Sequence, residues 1–179
     1  EAFFIDPGGD AREVLEFVQS KGLKLRAVLL THGHVDHFAG LKDLIPLVGG
    51  EVYISGEDAD MIRHPSEAMQ SALRIRCESV ADYHAVSEGN MIGIGAFRIE
   101  VLETPGHTPG GVCYLIREGG ECILASGDTL FAQSVGRTDL PGGEPSKLDD
   151  SLRKLSKFPD SLLVLPGHGP ETTIGEERQ

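Results

Sequence analysis

The chain has 179 residues, 40% of them hydrophobic and 25% charged, which is the mixture of a folded globular protein and excludes a disordered, collagen-like or disulfide-stapled one. At this length a single domain, residues 1–179, is expected, and roughly 70% of the unfolded surface is buried on folding, so neither metal nor disulfide is needed merely for a fold to exist. The 28 acidic residues outnumber the 16 basic ones for a net charge of −12, and no basic run interrupts them, which argues against a nucleic-acid partner and against a polybasic membrane anchor.

Ala2 to Ile5 reads as a strand closed by an Asp6-Pro7-Gly8-Gly9 turn. Asp10, with Glu13 three positions on, is a capping-box-like helix start, Val14, Leu15 and Val18 form the buried stripe, and Gly22 suits the C-terminal cap. Leu25 to Leu30 is a continuous apolar run suited to a buried strand, Phe38 to Val48 a second helix stopped by Gly49-Gly50, and Val52 to Ile54 a short strand. Glu57 to about Ser79 reads as irregular helix. Strands follow near Arg98 to Leu102, Val112 to Ile116 and Cys122 to Ala125, the last two joined by a Gly119-Gly120 hairpin turn. Leu148, Leu152 and Leu155 mark a helix, and Leu162 to Leu165 the final strand, which makes the whole an α/β layered sandwich. Cys77, Cys113 and Cys122 lie far apart without a C-x-x-C spacing and are expected to be reduced, the last two within strands. No apolar run approaches the ~20 residues that span a bilayer, and no leader pattern opens the chain, so no membrane is expected and the cytoplasm is the expected compartment.

Four strand-like runs end in loops rich in metal-ligand side chains: Thr31-His32-Gly33-His34-Val35-Asp36-His37, Thr104-Pro105-Gly106-His107, Ser126-Gly127-Asp128 and Pro166-Gly167-His168-Gly169. Strand C-terminal ends are where loops of layered α/β folds converge on ligands. With Gly33 between them, His32 and His34 leave an extended segment on one side and share a cation, while Asp36 and His37 point to a second position. Imidazoles with a carboxylate suit zinc, iron or manganese better than calcium or magnesium. The first cluster has too many ligands for one tetrahedral metal, and Asp128 is the candidate bridge between two. Taken alone, His107 and His168 read as turn residues and Asp128 as a turn cap; their common placement after apolar strands raises them.

These blocks, together with Thr104 to Gly111, Gly127-Asp128-Thr129-Leu130-Phe131, Gly136-Arg137-Thr138-Asp139 and Pro166 to Pro170, resemble the metallo-β-lactamase superfamily, and within it the short glyoxalase II-like (hydroxyacylglutathione hydrolase-like) hydrolases. The resemblance implies a four-layered αββα sandwich, with His32, His34 and His107 on one metal, Asp36, His37 and His168 on the other, and Asp128 bridging both. It also sets expectations where the chain departs from the family. Only five residues precede Asp6, with no initiator Met, so an N-terminal truncation that removes edge strands is expected. The chain stops eleven residues after His168, without the helical domain that helps classical glyoxalase II enzymes bind glutathione. An aspartate at the bridging position argues against antibiotic hydrolysis.

The implied activity is hydrolysis of a small-molecule thioester such as S-lactoylglutathione by a metal-bridging hydroxide, with two divalent ions, zinc foremost and iron or manganese as alternatives, and with Asp36 and Asp128 orienting the nucleophile. A mononuclear iron persulfide dioxygenase, a lactone hydrolase and a non-catalytic metal-binding scaffold are the competing readings, and the −12 charge sets RNA processing aside. Arg137 either meets an anionic substrate or pairs with a carboxylate such as Asp139. Tyr83 and His84 read as packing or surface residues that could edge the cleft, and His64 as a surface residue. Oligomeric state is not legible.

Overall fold

A computed structural model describes residues 1–9, 11–48 and 51–178. The expected cap at Asp10 and helix stop at Gly49-Gly50 lie outside the described residues. The chain divides into two compact units, Glu1–Val86 and Ser87–Gln179. No described helix is long and apolar enough to cross a membrane.

In the first unit β1 (Ala2–Ile5), β2 (Leu25–Leu29), β3 (Val52–Ser55) and β4 (His84–Val86) pair in that order, all parallel. Parallel neighbours need crossovers, and these are helical. Helix α1 (Ala11–Ser20) joins β1 to β2, α2 (Val35–Phe38) and α3 (Leu41–Val48) join β2 to β3, and α4 (Ala59–Arg63) and α5 (Glu67–Leu73) join β3 to β4. Val28, Leu30, Phe38, Leu41, Leu44, Ile54 and Ile62 form the buried core, and the expected stripe Val14, Leu15 and Val18 packs against it. Helix α1 ends in a Schellman motif: Leu23 N–H reaches the Val18 carbonyl at 2.9 Å and Gly22 N–H that of Gln19 at 3.0 Å, with Gly22 at φ +60°.

The expected helix from Phe38 to Val48 is instead two, broken at Ala39-Gly40. The break has a tertiary cause. Gly40 N–H donates to the Pro7 carbonyl at 2.7 Å, and a Cβ on Gly40 would stand 2.3 Å from the Gly9 carbonyl oxygen, so the chain leaves the helix to lie against the Asp6–Gly9 turn.

In the second unit β5 (Met91–Ile94), β6 (Phe97–Glu103), β7 (Val112–Glu118) and β8 (Glu121–Gly127) form an antiparallel meander. After the two-stranded ribbon of β9 (Leu130–Phe131) and β10 (Ser134–Val135) and helix α6 (Pro145–Leu155), β11 (Leu163–Pro166) adds parallel to β8, and β12 (Thr172–Thr173) antiparallel to β11. The sheet order is β12-β11-β8-β7-β6-β5, and α7 (Ile174–Glu177) follows with a Thr173/Glu176 capping box. Leu102, Cys113, Leu115, Leu124, Leu155 and Val164 make this unit's core. All three cysteines are free thiols, with Cys113 buried and Cys77 and Cys122 partly so.

Candidate metal centre

The chain leaves β2 through Leu30 into Thr31–His34, where His34 is the extended residue that starts α2. His32, His34 and His37 are 2%, 4% and 2% exposed, so their ring nitrogens need partners. The hydrogen bonds fix which nitrogen carries the proton. Thr31 Oγ spends its only proton on Asp6 Oδ2 at 2.6 Å and therefore accepts from His32 Nδ1 at 3.0 Å. His37 Nδ1 donates to the same Asp6 oxygen at 2.9 Å. Nε2 is thereby the nitrogen of His32 and of His37 that carries the lone pair.

His32 Nε2 lies 3.1 Å from His34 Nδ1. Two ligands about 2.0 Å from a tetrahedral zinc stand roughly 3.3 Å apart, so this is the spacing of two donors on one cation. Asp36 Oδ2 lies 4.0 Å from His37 Nε2, the expected second grouping. Asp6, His32 and His37 also lie close enough together to suggest a cation among them. Asp6 is better read as their support: Oδ1 accepts the Thr31 N–H at 2.8 Å, and Oδ2 accepts from both Thr31 Oγ and His37.

Two supports escaped the sequence reading. Asp6 reads in the sequence only as part of a turn. Asp58, fully buried, accepts the Gly33 N–H on Oδ2 at 3.1 Å and so holds the peptide between His32 and His34. Gly33 itself has no room for a side chain, since a Cβ would meet Met61 Cβ at 2.5 Å. Nothing in local spacing marks Asp58; it acts because α4 packs over Gly33.

In the second unit the candidate ligand loops follow β6, β8 and β11. Gly167 N–H donates to the Gly127 carbonyl at 2.8 Å, which ties the ends of β8 and β11 together and sets Asp128 beside His168. Asp128 Oδ2 is 3.5 Å from His107 Nε2 and 3.8 Å from His168 Nε2, so one carboxylate oxygen faces two imidazoles at near ligand-to-ligand spacing. His107 is buried and donates from Nδ1 to the Arg137 carbonyl at 2.7 Å, so Nε2 carries its lone pair; His168 is exposed. This set of oriented imidazoles and carboxylates fits divalent transition metals.

Arg137 and Asp139 form a two-bonded fork, Nε to Oδ1 at 2.6 Å and Nη2 to Oδ2 at 2.7 Å. The Arg137 bonds hold the Asp139 carboxyl down at about 2 and raise the guanidinium above its ordinary value. Burial pushes the Cys113 thiol up to about 11, so it is no nucleophile near neutral pH. His84 stacks on Tyr53 with ring centroids 5.0 Å apart and faces Glu51 at 3.6 Å, Tyr83 lies under the Arg63 guanidinium, and His64 is exposed, as expected of surface and packing residues.

The sequence model described as the metallo-beta-lactamase superfamily matches residues 1–168. The hydroxyacylglutathione hydrolase GloC of Haemophilus influenzae is 34% identical over 99% of this chain and 84% of its own length. Among solved structures, TTHA1623 in a di-iron-bound form superposes with a TM-score of 0.87 at 34% identity, covering 97% of this chain and 85% of that one. The B3 metallo-beta-lactamase BLEG-1 does so with a TM-score of 0.87 at 35% identity, covering 97% and 83%. Matched across nearly its whole length, the chain has the metallo-β-lactamase α/β fold and belongs to that superfamily of metal-dependent hydrolases.

Proposed function

We propose that this chain is a binuclear hydrolase of a small-molecule thioester such as S-lactoylglutathione. His32, His34 and His107 hold one divalent cation, Asp36, His37 and His168 the other, and Asp128 is shared, so that the chain works as one domain. The observation that carries this reading is Asp128 Oδ2 facing His107 and His168 at 3.5 and 3.8 Å. The di-iron form of one solved relative and the hydroxyacylglutathione hydrolase activity named for another support it. Zinc is the proposed metal, with iron or manganese as substitutes.

Two such cations supply, when bound, a water acidified toward neutral pH and a Lewis acid for the acyl carbonyl. The protein's own part is orientation. Asp6 and the Arg137 carbonyl fix the tautomers of His37 and His107, and Asp36 and Asp128 offer carboxylate oxygens that accept the attacking water's proton and aim its lone pair. A thiolate departs unprotonated because it is a weak base, its conjugate acid the thiol being comparatively acidic, so no general acid is required for its departure. A reducing, cytoplasmic compartment suits the three free thiols.

The test is S-lactoylglutathione hydrolysis by protein loaded separately with zinc, manganese or iron, beside Asp128→Asn. The expected result is turnover at two metals per chain, reduced more than about 100-fold in the variant together with metal content. Turnover of a lactone or a β-lactam in its place would reassign the substrate. Oxygen uptake at one iron per chain would replace hydrolysis by dioxygenase chemistry.

A further inference from the structure

Arg137 is the one basic residue in the loop between Asp128 and Glu144, and the obvious role for it is to meet an anionic substrate. Its side chain is otherwise engaged, because Nε and Nη2 are both bonded to Asp139. What Arg137 gives the site is its backbone: the carbonyl that accepts from His107 Nδ1 at 2.7 Å. We propose that the Arg137–Asp139 fork is a clasp that holds this carbonyl on His107, so that Arg137 is a positioning residue acting through His107 and not a substrate contact.

The surrounding loop is built onto the His107 turn from both ends. At its start, a Cβ on Gly136 would stand 1.8 Å from the Asp128 carbonyl oxygen and 3.2 Å from His107 Cβ, so only glycine lets the chain pass this close to two proposed ligands. At its far end Glu144 N–H donates to the Gly106 carbonyl at 2.8 Å, and Ser151 Oγ, from α6, donates to that of Pro105 at 2.8 Å. Between these anchors the fork closes a ring across Thr138 and fixes the orientation of the peptides on either side. A planar guanidinium bonded twice to one carboxylate restricts rotation as a single contact does not. A carbonyl can only accept, so its position dictates that Nδ1 of His107 carries the proton and Nε2 the lone pair. Without the clasp that carbonyl can rotate away, and the neutral imidazole is free to move its proton to Nε2, the form that cannot bind a metal there.

This inference rests on the reading of His107 as a metal ligand, and its test separates the two. Long-range ¹⁵N–¹H spectra of the metal-free full chain report the His107 tautomer directly, with His107→Gln for assignment. Zinc affinity by chelator competition is measured in parallel for Arg137→Ala, Arg137→Lys and Asp139→Asn, with folding checked by circular dichroism. The wild type is expected to show the Nδ1–H form alone. Arg137→Ala and Asp139→Asn populate both tautomers and lose about 10-fold in zinc affinity, while Arg137→Lys, which keeps the charge without the fork, falls between. Should Arg137→Ala not fold, Asp139→Asn carries the comparison. Unchanged tautomer and affinity in the folded variants overturn the clasp, as does a rise in KM alone with the tautomer kept, which would make Arg137 a substrate contact. A changed tautomer with unchanged zinc affinity upholds the clasp and overturns His107 as a ligand.

Discussion

Thr31 has one hydroxyl proton, and where it goes decides the chemistry of two histidines. Given to Asp6, it makes Thr31 an acceptor for His32 Nδ1, while Asp6 also accepts from His37, so one carboxylate sets the tautomers of two proposed ligands. The ligand types were legible in the sequence because His32, His34, Asp36 and His37 crowd into six positions. Their supports were not, because Asp6 and Asp58 each reach a residue 25 positions away, and only folding brings those together. Asp139 offers a measurable case of such a support. Hydrogen bonding from Arg137 lowers its carboxyl from 3.8 to about 2. A lowered folded value means stability that is present in full above the unfolded value and lost as pH falls through the folded one. The stability difference between wild type and Asp139→Asn, followed by urea titration, is therefore expected to be constant from pH 7 to about 5. It should shrink from pH 4 and vanish only once the pH is well below the folded value of about 2. A difference that persists undiminished below pH 2 would show that the pair does not act through its charge.

Periodicity located most elements because they bury one face, and it failed where a neighbour dictates the backbone. The run from Phe38 to Val48 carries a helical stripe, yet α2 and α3 separate at Gly40 because the Asp6–Gly9 turn occupies the space a continuous helix needs. Strand β4 has three residues, two of them exposed, and β5 shows only Ile92 and Ile94 buried around a glycine, so neither offers a pattern long enough to read. The four ligand loops were found because each follows an apolar run; what holds those loops was not, because it comes from other elements. Gly40 joins the two problems. Alanine there forces a Cβ to 2.3 Å from the Gly9 oxygen, and since backbone has to yield, Gly40→Ala is expected to cost about 1–3 kcal/mol in urea unfolding. The displaced turn is the one that carries Asp6, so zinc affinity should fall as well. Wild-type stability in this variant would mean that the turn adapts freely and that the helix break has another cause.

The proposed ligand set is spread along the sequence. His32, His34, Asp36 and His37 belong to Glu1–Val86, and His107, Asp128 and His168 to Ser87–Gln179. Each proposed cation takes two ligands from the 32–37 cluster and two from the later loops, counting Asp128 for both, and two ligands are too few to hold a zinc ion tightly. Metal binding then becomes a free energy that neither group of ligands can collect alone, and by linkage it stabilises whatever conformation presents all seven side chains together. A metal present at 100 times its dissociation constant contributes about 2.7 kcal/mol in this way, which corresponds to roughly 100-fold slower exchange for amides that open only when the site is lost. Hydrogen exchange followed with and without zinc should therefore slow in both the 30–38 and the 126–130 segments, and Asp128→Asn should abolish the effect in both. Protection confined to the first segment would place the metal on His32, His34 and His37 within one unit. The shared ligand set would then be wrong, whatever activity the loaded protein displays.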